Sequence, residues 1–210
     1  MGGRQPGRGT GNRLPLFIMV QAFGFYWPSA PEERIIIDSG HIPQYLEHIP
    51  VRGVVVQAGG NVGVYPKALS EHFDLVYTFE PAKDNYDCLM RNIEGIDNII
   101  PWHGALGSDH RTVGLERDDH NCGMHKIDEA SGSIPMYAID NLPLKRCDLI
   151  WLDVERYEKK VLKGAEKTIE RWSPAIIVEG KAAAKWLKGH GYNYATKLWR
   201  LDTLWTKSPL

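Results

Sequence analysis

Several things are scarce in this chain of 210 residues, and each absence excludes something. Charge of one sign is lacking: 25 Lys and Arg stand against 26 Asp and Glu, so there is no basic stripe to follow nucleic-acid phosphates and no net field to hold an anionic membrane. Cysteine is scarce. Cys88, Cys122 and Cys147 are odd in number, far apart and without a C-x-x-C pair, which argues against a disulfide framework and a zinc knuckle and fits a reducing, cytoplasmic setting. Long apolar runs are missing too. Leu16 to Val20, bounded by Pro15 and Gln21, falls well short of the roughly 20 residues that span a bilayer. Arg4, Arg8 and Arg13 precede it, yet no small-residue cleavage site follows a sustained apolar stretch, so it does not read as a signal peptide. No internal repeat is visible. A small-molecule partner is left, to be argued from a site.

The length suits one well-buried core. Residues 1–12, rich in Gly and Arg, read as a disordered leader; residues 13–50 read as an N-terminal extension, and 51–210 as one α/β domain. Within the extension, the aromatic cluster Phe23 to Pro28 reads as packing, with a substrate lid as the sharper alternative. Arg34 to Asp38 reads as a short strand and Ile42 to Ile49 as a helix. Beyond Val51, apolar runs and helical spacing alternate as in a doubly wound, mostly parallel sheet. Strands are expected at Val54–Val56, Leu75–Phe79, Asn98–His103, Asp148–Val154 and Ala175–Glu179. Helices are expected over Asp84–Ile93, over Tyr157–Trp172 as one amphipathic unit, and over Ala182–Lys188. Thr112–Glu116 and Ile134–Ile139 form an antiparallel excursion around a long polar loop, Arg117–Ser133. The tail reads as two strands, an antiparallel hairpin that a plain dinucleotide-binding fold would not have.

The most informative stretch is G-V-V-V-Q-A-G-G-N-V-G from Gly53, followed by L-V-Y-T-F-E-P ending at Pro81. A β-branched run marks a strand buried on both faces. Gly59, Gly60 and Gly63 let the chain turn and bring backbone close to a ligand. Glu80 ends the second strand where a carboxylate accepts from ribose hydroxyls. A dinucleotide fingerprint asks for glycine at 58, where this chain has Ala58, so the glycines alone leave the cofactor open.

The succession of this glycine motif, T-F-E-P, G-A-L-G, L-I-W-L-D-V-E-R-Y-E-K-K-V-L-K-G-A and P-A-I-I-V-E resembles the FkbM family of S-adenosylmethionine-dependent methyltransferases. The resemblance runs from about Val51 to Gly180. It implies a Rossmann-like class I methyltransferase fold and methyl transfer to oxygen, the acceptor being a hydroxyl of a sugar, glycan or small metabolite. On this chain it assigns the methionine end of the cofactor to Gln57, Gly59, Gly60, Asn61 and Gly63, and the ribose to Glu80 and Pro81. The adenine falls to Ala105 and Leu106, with Ser108 and Asp109 following. Three departures stand out: Gln57 replaces an acid, Arg156 the glycine of a D-V-E-G-x-E element, and Trp151 a common lysine. A neutral Gln57 can still accept from the cofactor's ammonium; Arg156 occupies a position calling for unusual dihedrals; Trp151 could turn toward an apolar substrate.

Candidate catalytic groups follow from what methyl transfer asks of a protein: alignment, and relief of the acceptor's proton. Asp153 and Glu155 end the fourth strand beside the switch point where open sheets bind ligands. His125, in the long loop with His120, is a candidate base. With Glu158, the acids could hold a divalent cation through oxygen, though the spacing alone does not indicate one. Two rivals share the βαβ half: an NAD-dependent oxidoreductase, and a degenerate cofactor-binding scaffold. No N/D-P-P-Y/F-type element favours a nucleic-acid methylase. Oligomeric state is not readable.

Overall fold

The computed structural model describes residues 19–117, 122–198 and 202–207. The expected leader and His120 lie outside them. Among the described residues, no helix is long and apolar enough to cross a membrane.

The chain begins with a hairpin, β1 (Val20–Ala22) and β2 (Phe25–Trp27), in which Ala22 pairs with Phe25 across two residues. Phe23 and Gly24 both take positive φ, 53° and 78°, as a tight turn matching strand twist requires. The extension packs on the domain. Trp27 is fully buried beside Val62, Val64 and Cys88, and the Asn92 amide clamps Tyr26 by accepting from its N–H at 2.7 Å and donating to its carbonyl at 2.9 Å.

Two short helices follow, α1 (Glu33–Ser39) and α2 (Ile42–Leu46). The strand expected over Arg34–Asp38 is therefore a helix. Its isoleucine run favours extended chain, but the segment packs against the helix that follows the glycine turn, and an Arg34–Asp38 ion pair one turn apart supports the helix. On α2, Ile42, Tyr45 and Leu46 are buried in the main core.

The first βαβ half is β3 (Val54–Ala58), α3 (Val64–Ser70) and β4 (Leu75–Glu80), continued by α4 (Lys83–Asn92) and β5 (Ile99–His103). An excursion then runs through β6 (Ala105–Leu106), β7 (Arg111–Glu116), β8 (Lys126–Asp128) and β9 (Ile134–Tyr137). The antiparallel pairing of β7 with β9 matches the sequence expectation; β8 adds a strand from within the polar loop, paired to β7. The second half is β10 (Leu149–Leu152), α5 (Glu158–Lys163), α6 (Glu166–Trp172), β11 (Ala175–Glu179) and α7 (Ala184–Gly189), closed by β12 (Asn193–Lys197) and β13 (Asp202–Thr206).

The main sheet has the order β12-β13-β11-β10-β3-β4-β5. Strands β3, β4, β5, β10 and β11 are parallel, whereas β13 runs antiparallel to both its neighbours. Alternation sorts the core. Val54, Val56, Ile150 and Leu152 face Val161, Leu162 and Ile169 of α5 and α6; Val55, Leu149 and Trp151 face Leu69 of α3, Leu89 of α4 and α2. Both faces are covered, which is why the central strands read as continuous apolar runs.

The single helix expected over Tyr157–Trp172 is broken in two at Gly164. A Cβ there would lie 2.0 Å from the Gly107 carbonyl oxygen, so only glycine lets this bend approach the loop after β6. Asp140 supplies the new helix start by accepting from the backbone N–H groups of Lys167 and Thr168 at 3.0 and 2.7 Å.

Candidate functional site

From β3 the chain winds to β4 on one side, while β10 lies on the other, so their carboxyl ends part around a crevice. A cavity of about 390 Å³ opens there, within the range of small-ligand pockets. Of the residues expected to form a site, Gly59, Asn61, Glu80, Pro81, Ala105 and Leu106 line it, and so do His125, Asp153 and Glu155. One cavity thus gathers both expected groups.

The glycine turn shapes its floor. Gly59 has φ 88°, and a Cβ on it would lie 2.2 Å from the Asp153 carbonyl oxygen, so glycine here lets β3 and β10 close on each other. Gly60 and Gly63 do not line the cavity. A Cβ on Gly60 would press Thr78 and Leu89, and Gly63 begins α3; both set the path of the turn. Gln57 also departs from expectation: it is buried, and its amide is turned into the sheet rather than the cavity. Its Oε1 accepts from the Thr78 hydroxyl, and its Nε2 donates to the Gly59 carbonyl at 2.8 Å. The acceptor atom expected to meet a ligand's ammonium is spent on holding the turn.

Glu80 is 4% exposed at the end of β4. Its Oε2 accepts from the Asn61 N–H at 2.7 Å and its Oε1 from the Ala82 N–H at 2.8 Å. Burial pushes its carboxyl up to about 7 despite those bonds, which favour the charged form. These two backbone donors and the Asn85 side chain leave part of the carboxylate's accepting capacity open. Farther along, Ala105 and Leu106 on β6 are buried against β9, and Phe79 stacks on Trp102 at 5.7 Å.

The wall beside Gly59 is acidic. Asp153 is exposed to the cavity it opens into; lost hydration within that pocket, then Glu179, Asp202, Glu155 and Glu158, push its carboxyl up to about 8. Burial and Glu179 also raise Glu155, against the pull of Lys126 and Arg156. Glu155 and Arg156 both have positive φ, 46° and 72°, so the strand end turns left-handed at the position where the resemblance expects glycine. That turn sends Glu155 into the cavity instead of onto the following helix. Carboxylate oxygens of Asp153, Glu155 and Glu179 lie within 4.8 Å of one another.

Trp151 does not face this space. It is buried on the other side of β10, its ring 5.7 Å from that of Tyr45 and 5.4 Å from that of Tyr65. All three cysteines are free and buried; Cys122 lines the cavity beside Glu32 and Asn61.

Sequence reasoning missed Glu32, Asp38, Tyr65 and Tyr157 in the wall, and Asp202 beside Glu179. No motif marks them. Glu32 and Asp38 come from the extension, and only the antiparallel register of β13 sets Asp202 opposite Glu179. Counting them, Glu32, Asp38, Glu80, Asp153, Glu155 and Glu179 face the cavity, with Arg34 as the one Lys or Arg among the described residues, and Arg34 pairs with Asp38. Such a wall favours a cationic ligand.

A sheet of this order, with its cavity at the β3–β10 switch, defines a class I S-adenosylmethionine-dependent methyltransferase fold. The chain belongs to the family of the methyltransferase FkbM domain, whose model matches residues 58–194. Among solved structures it is similar to a methyltransferase FkbM from Methylobacillus flagellatus, with a TM-score of 0.52 and 16% identity over 78% of this chain and 49% of that one. The chain thus spans about half the length of that protein. It is also similar to a precorrin 8w decarboxylase from Methanobacterium thermoautotrophicum, with a TM-score of 0.53 and 13% identity over 90% of this chain and 99% of the other. A precorrin-6y C5,15-methyltransferase from Geobacter metallireducens gives 0.50 and 11% over 84% and 92%. At these identities the likeness is one of fold. Comparison with curated protein sequences finds no match.

Proposed function

We propose that this protein moves a methyl group from S-adenosylmethionine to a hydroxyl oxygen of a sugar, glycan or other small metabolite. The observation that carries the reading is a cavity lined both by Gly59 and Glu80, at the ends of the first two strands of the βαβ half, and by Asp153, Glu155 and His125. The residues fit the cofactor. Gly59 leaves open a backbone approach that a Cβ would close; Glu80 keeps lone pairs for ribose hydroxyls; Ala105, Leu106 and Pro81 offer apolar surface to the adenine. The acid-rich wall suits a ligand that carries both a sulfonium and an ammonium.

When bound, S-adenosylmethionine supplies an activated methyl carbon, so the protein's work is alignment and proton management. Asp153 and Glu155 orient the acceptor hydroxyl by accepting from it. His125, which lines the same cavity, takes up its proton. Oxygen as the acceptor atom rests on the family; the crowding of carboxylates around Asp153 is consistent with a hydroxylated partner.

Isothermal titration of the full chain with S-adenosylmethionine and S-adenosylhomocysteine should give saturable binding, and labelled methyl should pass to a hydroxylated acceptor in a panel of glycans and small alcohols. Absence of both heat and thermal shift at millimolar cofactor would overturn the reading. Binding without transfer to any acceptor would favour a cofactor-binding scaffold instead.

A further inference from the structure

The glycine turn carries no charge of its own, because Gln57 is neutral and its amide is spent on Thr78 and Gly59. The amino-acid end of S-adenosylmethionine, however, has an ammonium and a carboxylate, and each needs a partner once it leaves water. The N-terminal extension holds one group of each sign. Its helix α1 packs against α3, the helix that leaves the glycine turn, and Glu32 and Arg34 line the cavity together with Gly59, Asn61 and Tyr65.

Glu32 is placed beside the turn by its contacts. It stands at the N-cap of α1, yet its side chain makes no capping bond. Its Oε1 instead accepts from the Cys122 thiol at 3.1 Å, and the same sulfur lies 3.7 Å from the Asn61 Oδ1. A thiol is a weak donor. Burial, followed by the bond to Glu32, pushes the Cys122 thiol up, so it stays a neutral donor. Among the described residues no cation pairs with Glu32, and the carboxylate keeps the capacity to accept from an ammonium.

Arg34 supplies the opposite sign. It meets Asp38 through Nε at 3.5 Å and pairs with no second carboxylate among the described residues. Its two terminal nitrogens can therefore take a ligand carboxylate in parallel bonds, the strong form of this interaction.

We propose that Glu32 and Arg34 complete the cofactor site, Glu32 accepting from the ammonium of S-adenosylmethionine and Arg34 donating to its carboxylate. The assignment rests on the methyl-transfer reading. It makes the extension part of donor binding, and it gives the single anionic group of the ligand to the one Lys or Arg in the wall among the described residues.

Isothermal titration of the full chain with three ligands tests it: S-adenosylmethionine, its decarboxylated form, which keeps the ammonium but lacks the carboxylate, and methylthioadenosine, which lacks both. Arg34→Gln should weaken S-adenosylmethionine by about tenfold or more and leave the decarboxylated ligand bound no more weakly. Glu32→Gln should weaken both by about tenfold, and neither variant should move methylthioadenosine by more than about twofold. Arg34 is exposed and Glu32 half-buried, so both variants should fold, which their melting temperatures check. Folded variants that bind S-adenosylmethionine as the parent does would refute the assignment. Equal loss of all three ligands would refute it too, since that marks a structural role. In either case the parent's own binding leaves methyl transfer standing, whereas a parent that binds none of the three ligands sinks the cofactor reading and this assignment with it.

Discussion

Raising the pH should destabilise the cofactor-free protein through Glu80, and replacing that residue with glutamine should remove the effect. Burial holds the Glu80 carboxyl at about 7, against 4.5 for an ordinary glutamate. The folded chain therefore holds the proton more tightly than the unfolded chain. The resulting stability is fully present below pH 4.5 and is lost as pH rises through 7. At 1.36 kcal/mol per pKa unit, the loss is about 3 kcal/mol between pH 4.5 and 8. Asp202, raised to about 7 by burial, Glu179 and Asp38, has the same sign, so the parent's total slope is steeper and the difference between parent and variant is the quantity to read. Glu80→Gln is a near-isostere of the protonated acid, with one acceptor left for the Asn61 or Ala82 N–H. The two proteins should agree to about 1 kcal/mol at pH 5. By pH 8 the variant should be the more stable by about 3 kcal/mol, from urea unfolding extrapolated to water. It should also bind S-adenosylmethionine more weakly, by a factor of about 10 to 100 for the lost charged hydrogen bonds. A stability difference that stays flat from pH 5 to 8 would refute the burial argument.

Two further substitutions probe the turns that frame the cavity. Gly59→Ala puts a Cβ 2.2 Å from the Asp153 carbonyl at φ 88°; it should cost about 3 kcal/mol, lower the melting temperature by roughly 6–12 °C and weaken cofactor binding. A melting temperature within 2 °C of the parent would contradict the close approach. Arg156→Gly relieves a non-glycine residue at φ 72°; after glycine's own entropy is subtracted it should gain about 0.5–1 kcal/mol, and calorimetry showing a loss would mean that Arg156 makes a contact worth more than its strain.

Where a residue's neighbours are near in sequence, the fold was legible. The strand run Val54–Val56, the glycine turn and the acid at Glu80 each announce themselves, because a strand buried on both faces must be apolar and a sharp turn into a helix must spare its Cβ atoms. Legibility failed where distant chain decided the outcome. Arg34–Asp38 looks extended, yet it meets α3 and forms a helix. Gly164 reads as one more residue of an amphipathic helix, and only its approach to Gly107 shows why the helix breaks there.

The same distinction sorts the site. Asp153 and Glu155 were readable because a carboxylate ending a buried strand needs a reason to be there, and the lost glycine at Arg156 marked a special turn before its dihedrals were seen. Gln57 was misread for an instructive cause. A motif position says which backbone atom lies near a ligand, but not where a side chain spends its hydrogen bonds, and Thr78 on the next strand takes the one acceptor that Gln57 offers. An acid at 57 could accept from Thr78 but could not donate to the Gly59 carbonyl as the amide does. Gln57 is thus matched to Thr78 and the glycine turn together, and the negative charge an acid there would have supplied is met by carboxylates on other walls. Glu32 and Asp38 come from the N-terminal extension, Glu179 from the end of β11, and Asp202 lies beside Glu179 across the β11–β13 pair. The charge that attracts a cationic ligand is set by the tertiary fold, not by the motif.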